Sequence, residues 1–256
     1  MTDTYPLSQL HVEIQGSGPR VVFVHGGEQA GGSIAFAPQF PLAHTFTLIL
    51  PDLPGHGQSP AQGPKNVERD AVLIAELLGD GAYLVGHSYG GAVALTAAAR
   101  RPAAVHSLTL IEPATLDIAQ DDPEVRKMLA EMAKAISIAD PRERLEAFAT
   151  TVGISKTWQD PLSETYRRLA EDLPKLSTSG APSLSSRQLA EQIVAAGIPS
   201  LVISGGHRQA FENLCDILAG ILGAQRAVFP GYGHVPQASG EPFNTCLEQF
   251  WAQHSS

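Results

Sequence analysis

The stretch that decides the fold is Ala82-Tyr83-Leu84-Val85-Gly86-His87-Ser88-Tyr89-Gly90-Gly91. Its first four residues are apolar and end at a glycine, as a short buried strand does. Residues 89–100 are nearly all small or apolar, the composition of a helix laid against a sheet. Between the two, residues 86–90 match G-x-S-x-G at a strand-to-helix junction. A turn that sharp forces its central residue into a strained backbone and points the hydroxyl outward. Small residues two places before and after let strand and helix pass without clash. Ser88 is therefore the candidate nucleophile. The five letters alone would be a modest signal; the junction gives them weight.

Outward from this point the chain alternates. Short β-branched or aromatic runs at residues 21–24, 45–50, 107–111, 200–204 and 226–229 each stop at turn residues. Amphipathic helical patterns fall between them, at 67–78, 211–222 and 242–251. In the first, Val67, Ala71, Ile74, Ala75 and Leu78 line one face. Such alternation predicts an α/β fold with a mostly parallel central sheet and helices on both faces. Residues 10–14, before Gly16-Ser17-Gly18, look hairpin-like and are expected to add an antiparallel edge. From about 116 to 190 no strand pattern is found and helical ones dominate. Residues 124–138 place Val125, Met128, Leu129, Met132 and Ile136 on one side, and 142–151 and 162–173 follow. This stretch is expected to be an inserted helical cap, 116–190, on a core domain formed by 1–115 and 191–256.

Composition limits the function. The 256 residues carry 17 Lys+Arg against 26 Asp+Glu, a formal charge of −9, which disfavours nucleic acid and anionic membranes as partners. The hydrophobic fraction of 43% supports a sizeable core. Residues 1–9 lack the basic and apolar regions of a signal peptide, and no apolar run nears the roughly 18 residues of a membrane span. Cytoplasmic location is the expectation. Cys215 and Cys246 form neither a disulfide framework nor a metal cluster and are expected to be free thiols.

Serine needs a base to become a nucleophile. Of nine histidines, His234 has the right setting, in Pro230-Gly231-Tyr232-Gly233-His234-Val235-Pro236 between the last strand and the last helix. A loop there can hold an imidazole over the sheet edge from which Ser88 emerges. His11, His44, His106 and His254 lack such a loop and read as surface or packing residues. His25-Gly26-Gly27 ends an early strand, so the N–H of Gly27 and that of Tyr89 are candidate donors to an oxyanion.

These motifs, with Asp52-Leu53-Pro54-Gly55-His56-Gly57-Gln58-Ser59, resemble in order and spacing the α/β-hydrolase superfamily over residues 10–253. The resemblance implies that residues 52–59 are a structural turn. It also exposes a departure. Most such hydrolases carry the acid of the triad just after the strand at 200–204, where this chain has Gly205-Gly206-His207-Arg208. Haloalkane dehalogenases and zearalenone-type lactone hydrolases hold theirs after the strand that follows the nucleophile helix, and Glu112-Pro113 resembles that arrangement. Glu112 is thus favoured as the acid over Glu212 or Asp216.

Rival chemistries fail on particular residues. Residues 26–33 read G-x-x-x-x-G-G-S, a P-loop without its lysine, and no dinucleotide or metal motif is present. No cofactor or metal is expected. Dehalogenases and epoxide hydrolases of this fold place aspartate at the elbow, so serine favours hydrolysis of a small carboxylic ester or lactone through an acyl-serine. Carbon–carbon bond hydrolysis, thioester hydrolysis, cofactor-free perhydrolysis and a non-catalytic receptor of the same fold remain open. Met128, Met132 and Trp158, with Tyr166, are expected to roof an apolar pocket. No basic cluster there suits a coenzyme A phosphate.

Overall fold

The structure is a computed structural model that describes residues 6–61, 63, 65–154 and 183–254. Seven strands form one sheet: β1 (Val12–Gly16), β2 (Arg20–Val24), β3 (Thr47–Pro51), β4 (Ala82–His87), β5 (Val105–Ile111), β6 (Ser200–Ser204) and β7 (Gln225–Val228). Their spatial order is β1-β3-β2-β4-β5-β6-β7. All neighbours run parallel except β1, which lies antiparallel to β3. The expected antiparallel edge is there, but it is no hairpin: β1 pairs with β3, not with β2, which follows it in the chain.

Period-two alternation explains how the sheet is filled. In β2, Val22 and Val24 face one side and Val21 and Phe23 the other; in β4, Leu84 opposes Tyr83 and Val85. Both faces are buried, so both sets are apolar. One side is covered by α2 (Val67–Leu77), α3 (Tyr89–Arg100), α6 (Ser186–Ala195) and α7 (Gln209–Leu222). The other is covered by α8 (Glu241–Ala252), the short α1 (Gly32–Ala35) and the 3-10 turns of Ala37–His44. There Trp251 stacks on Tyr83 at 5.0 Å.

Between β5 and β6 the chain inserts α4 (Pro123–Ile136) and α5 (Pro141–Val152). Each begins at an Asp-Pro pair. Asp122 accepts from the N–H groups of Glu124 and Val125, and Asp140 from that of Glu143, while proline occupies the first position, where no N–H is needed. Val125, Met128, Leu145, Phe148 and Val152 form a third core with Phe211 and Leu214 of α7. Trp158 and Tyr166, expected in the pocket roof, and the helix expected at 162–173 lie outside the described residues. Helix α6 starts before position 190, and its Leu189, Ala190 and Ile193 belong to the core of the sheet. No helix among the described residues is long and apolar enough to cross a membrane.

Candidate active site

Strand order switches direction between β2 and β4, and such a switch opens a crevice beyond the carboxyl ends of the strands. The register aligns Val24 with Gly86, His87 with Ile111, Ile111 with Ile203 and Ser204 with Val228. The residues that leave these ends therefore meet at one edge.

Ser88 sits at φ 51°, and the only other non-glycine residue at positive φ among the described ones is Glu112, at 38°. Such conformations cost about 1–3 kcal/mol each and need support from their surroundings. The elbow supplies it. The Ser88 N–H donates to the Ile111 carbonyl at 2.9 Å, the Ser88 carbonyl accepts from Ala114 at 2.8 Å, and Glu112 N–H donates to Ile203 at 2.9 Å. A Cβ on Gly90 would overlap the carbonyl oxygens of Val24 and His25, and one on Gly86 the carbonyl of Gly90. Both glycines of the motif are thus steric requirements.

Three sequence-selected residues come together here. His234 Nε2 lies 3.0 Å from Ser88 Oγ, and its Nδ1 lies 2.6 Å from Glu112 Oε2. Glu112 is fully buried, and its other oxygen accepts from Gly205 N–H at 2.6 Å. Burial favours its neutral form, yet the close approach of the His207 ring and the hydrogen bond from His234 outweigh it and bring the carboxyl from 4.5 to about 2. It is a carboxylate at any ordinary pH. The alternatives are engaged elsewhere. Glu212 accepts from Ser204 Oγ and Gly206 N–H and pairs with Arg226, while Asp216 pairs with the same arginine.

The ring of His234 is held from several sides. Phe211 packs on it with centroids 4.6 Å apart, the His234 backbone N–H donates to Gly153 O at 3.1 Å, and the His234 carbonyl accepts from His87 Nε2 at 2.7 Å. His87 is fully buried, and burial lowers it from 6.5 to about 4, so it is neutral. Gly27 and Tyr89 line the same cavity as Ser88. Lys65 Nζ donates to the Gly27 carbonyl at 2.6 Å and lies 5.4 Å over the Tyr89 ring, which anchors the loop. Tyr89 OH donates to buried Asp70 at 2.8 Å. Asp52, as the resemblance implied, is structural: it accepts from Gly32 N–H and Gln58 N–H and contacts His11 at 2.9 Å.

The cavity holds about 580 Å³. Met128 and Met132 line it, with Leu95, Phe148, Leu184 and Leu189. Among the described residues, Glu28, His87 and His234 form the one group whose ligand atoms converge. An ion there would take one ring nitrogen of His234, and both are already engaged, by Ser88 and by Glu112, so the residues fit an acid–base relay better than a metal site. Sequence reasoning missed Lys65, His87, Phe211 and His207. For His207 a signal existed, since it stands where the acid was sought.

A doubly wound sheet, an elbow serine and a histidine backed by a buried carboxylate define the class of the α/β hydrolases. The family model described as "Alpha/beta hydrolase family" matches residues 21–245, and this chain belongs to that family. It is 38% identical over 151 residues to the lipase LipV of Mycobacterium tuberculosis, a match covering 55% of this chain and 54% of that protein. It is 31% identical over 241 residues to a pimeloyl-[acyl-carrier protein] methyl ester esterase of Stenotrophomonas maltophilia, covering 89% and 90%. The solved structure of an esterase from Exiguobacterium antarcticum superposes with a TM-score of 0.74 at 20% identity, covering 95% of each chain.

Proposed function

We propose that this hydrolase cleaves a small carboxylic ester or lactone through an acyl-serine on Ser88. The observation that carries the reading is the unbroken relay Ser88–His234–Glu112 opening into the cavity. His234 Nε2 takes the hydroxyl proton as Oγ attacks the carbonyl carbon. The oxyanion is received by the N–H groups of Gly27 and Tyr89. Collapse expels the alkoxide, which takes the proton from His234. Water then enters, gives its proton to the same nitrogen and releases the acid, and Ser88 regains its proton. Glu112 holds the imidazole in its tautomer and stabilises the imidazolium without itself being protonated.

The cavity narrows the substrate. Its walls are mainly apolar, its polar members include Glu28, Asp117, Ser185 and Ser186, and no lysine or arginine lines it among the described residues. That favours a neutral acyl or alkoxy group over one bearing phosphate or carboxylate. The two curated relatives named above carry ester-cleaving names, in keeping with this choice. A fluorophosphonate probe should label the wild-type protein and not Ser88→Ala. Labelling of neither would point to a receptor of the same fold. A panel of p-nitrophenyl esters, lactones and acyl thioesters should then rank neutral esters or lactones first; preference for an acyl-coenzyme A would overturn the substrate assignment.

A further inference from the structure

Both ring nitrogens of His207 face groups that can only accept. Nε2 lies 3.0 Å from the Val152 carbonyl oxygen, and Nδ1 lies 3.3 Å from Glu112 Oε1. A neutral imidazole carries one N–H and one lone pair, so one nitrogen would turn a lone pair on an acceptor. The doubly protonated ring avoids this. Nδ1 makes no in-line hydrogen bond, so its link to Glu112 is one of charge at close range.

The charged neighbours agree. Glu112 at the end of β5 and Glu212 on α7 favour the cation, and the carbonyl of Val152 on α5 adds to them. Arg208 is turned away, donating to Thr151 O and pairing with Glu131 of α4. On the remaining sides stand Phe211, at 5.5 Å between centroids, and the ring of His234, at 6.5 Å. Burial pulls the His207 pKa down, but these acceptors outweigh it and hold it above 6.5.

The acceptor on the far side is no ordinary carbonyl. The last carbonyls of a helix lack intrahelical partners and carry its negative dipole end. At the end of α5 three in succession are met by the loops of the relay: Thr151 O by Arg208, Val152 O by His207 and Gly153 O by His234 N–H. Gly153 is at φ 83°, and a Cβ there would strike the His207 ring.

We propose that His207 is a positioning residue, an imidazolium that ties the relay carboxylate Glu112 to the C-terminal end of α5. One side chain thereby sets both the seat of the inserted helices and the net charge felt by His234. The proposal rests on the hydrolytic reading only where activity is the readout. With His207 neutral, the full charge of Glu112 acts on His234 and favours its protonation. The acid limb of kcat/KM should then move to higher pH, by roughly one unit for charges at this separation.

Two measurements test it. Long-range ¹H–¹⁵N spectra of the full-length protein, assigned through bonds, should show His207 with both nitrogens protonated and half-titrating above pH 6.5. In Glu112→Gln the midpoint should fall. This arm needs no turnover, so it stands even if no ester is cleaved. The second arm is the pH profile of p-nitrophenyl butyrate hydrolysis. His207→Gln, which keeps an N–H for Val152, should displace the acid limb upward, while His106→Gln should not. A ring with a single N–H at pH 6.5, or an acid limb unmoved in His207→Gln, would overturn the proposal.

Discussion

Positive φ at Ser88 and Glu112 singles out two residues for which β-region or helical backbone would have been cheaper. Both belong to the proposed relay at the same sheet edge, so the strain would have a use there: it aims each side chain where an ordinary strand end would not. Loss of their relay atoms should therefore cost activity far more than folding. Ser88→Ala is expected to lower kcat by about 10⁶-fold, with an unchanged melting curve. Glu112→Gln should lower kcat by roughly 10⁴-fold, because an amide cannot stabilise the imidazolium. Glu212→Gln separates two of the three candidate acids. It loosens contacts with Ser204, Gly206 and Arg226 and should cost about 1–2 kcal/mol of stability by denaturant titration. Its kcat should stay within a few-fold of wild type, and a loss matching that of Glu112→Gln would reassign the acid.

At the scale of elements, what was legible followed from local pattern. The strand, elbow and helix at 82–100 could be read because glycine spacing and apolar runs are properties of neighbouring residues. The cap helices α4 and α5 could be read because helical patterning lies in the sequence itself, while their Asp-Pro starts went unread and the observed helices begin at Pro123 and Pro141. The partner of β1 could not, since edge pairing depends on which strand is nearest in space. Glu112 was selected because the usual acid position after 200–204 holds no carboxylate and Glu112-Pro113 resembles the alternative family position; its reach to His234 depends on the β5–β6 register, which no local motif encodes. The junction of α5 with the relay was equally hidden, because Gly153 reads only as a helix stop. Its structure gives it a second duty. Gly153→Ala would strain a residue at φ 83° and push a methyl into His207. The expected loss is about 1–3 kcal/mol by thermal or denaturant melting, with a fall in kcat, since the same backbone carbonyl holds His234 N–H. Gly223→Ala, at φ 61° with nothing near its added Cβ, should cost stability alone.

For the molecule as a whole, buried histidines decide how stability varies with pH. His25 and His87 are fully buried, and burial lowers each from 6.5 to about 4; His56 is lowered well below its ordinary value for the same reason. The hydrogen bonds of His25 are those of a neutral ring. His25 Nε2 accepts from Leu53 N–H at 2.9 Å while its Nδ1 donates to the Gly26 carbonyl at 2.7 Å. A group lowered on folding contributes stability that is complete above its unfolded pKa and is lost as pH falls through the folded one. Between pH 6.5 and 4 the unfolded chain takes up protons that the folded chain refuses, at roughly 3 kcal/mol for a ring displaced this far. Glu112, lowered to about 2, adds a further loss below pH 4.5. His207 has the opposite sign: raised on folding, it contributes fully below 6.5, and that contribution fades as pH climbs through its folded value. Three rings outweigh one, so the melting temperature should peak near or just above pH 6.5 and fall steeply on the acid side. His87→Gln keeps a donor for the His234 carbonyl and removes one titrating ring. It should flatten the acid slope while lowering the peak, and a melting temperature unchanged from pH 6.5 to 4.5 in the wild type would contradict the neutral wiring.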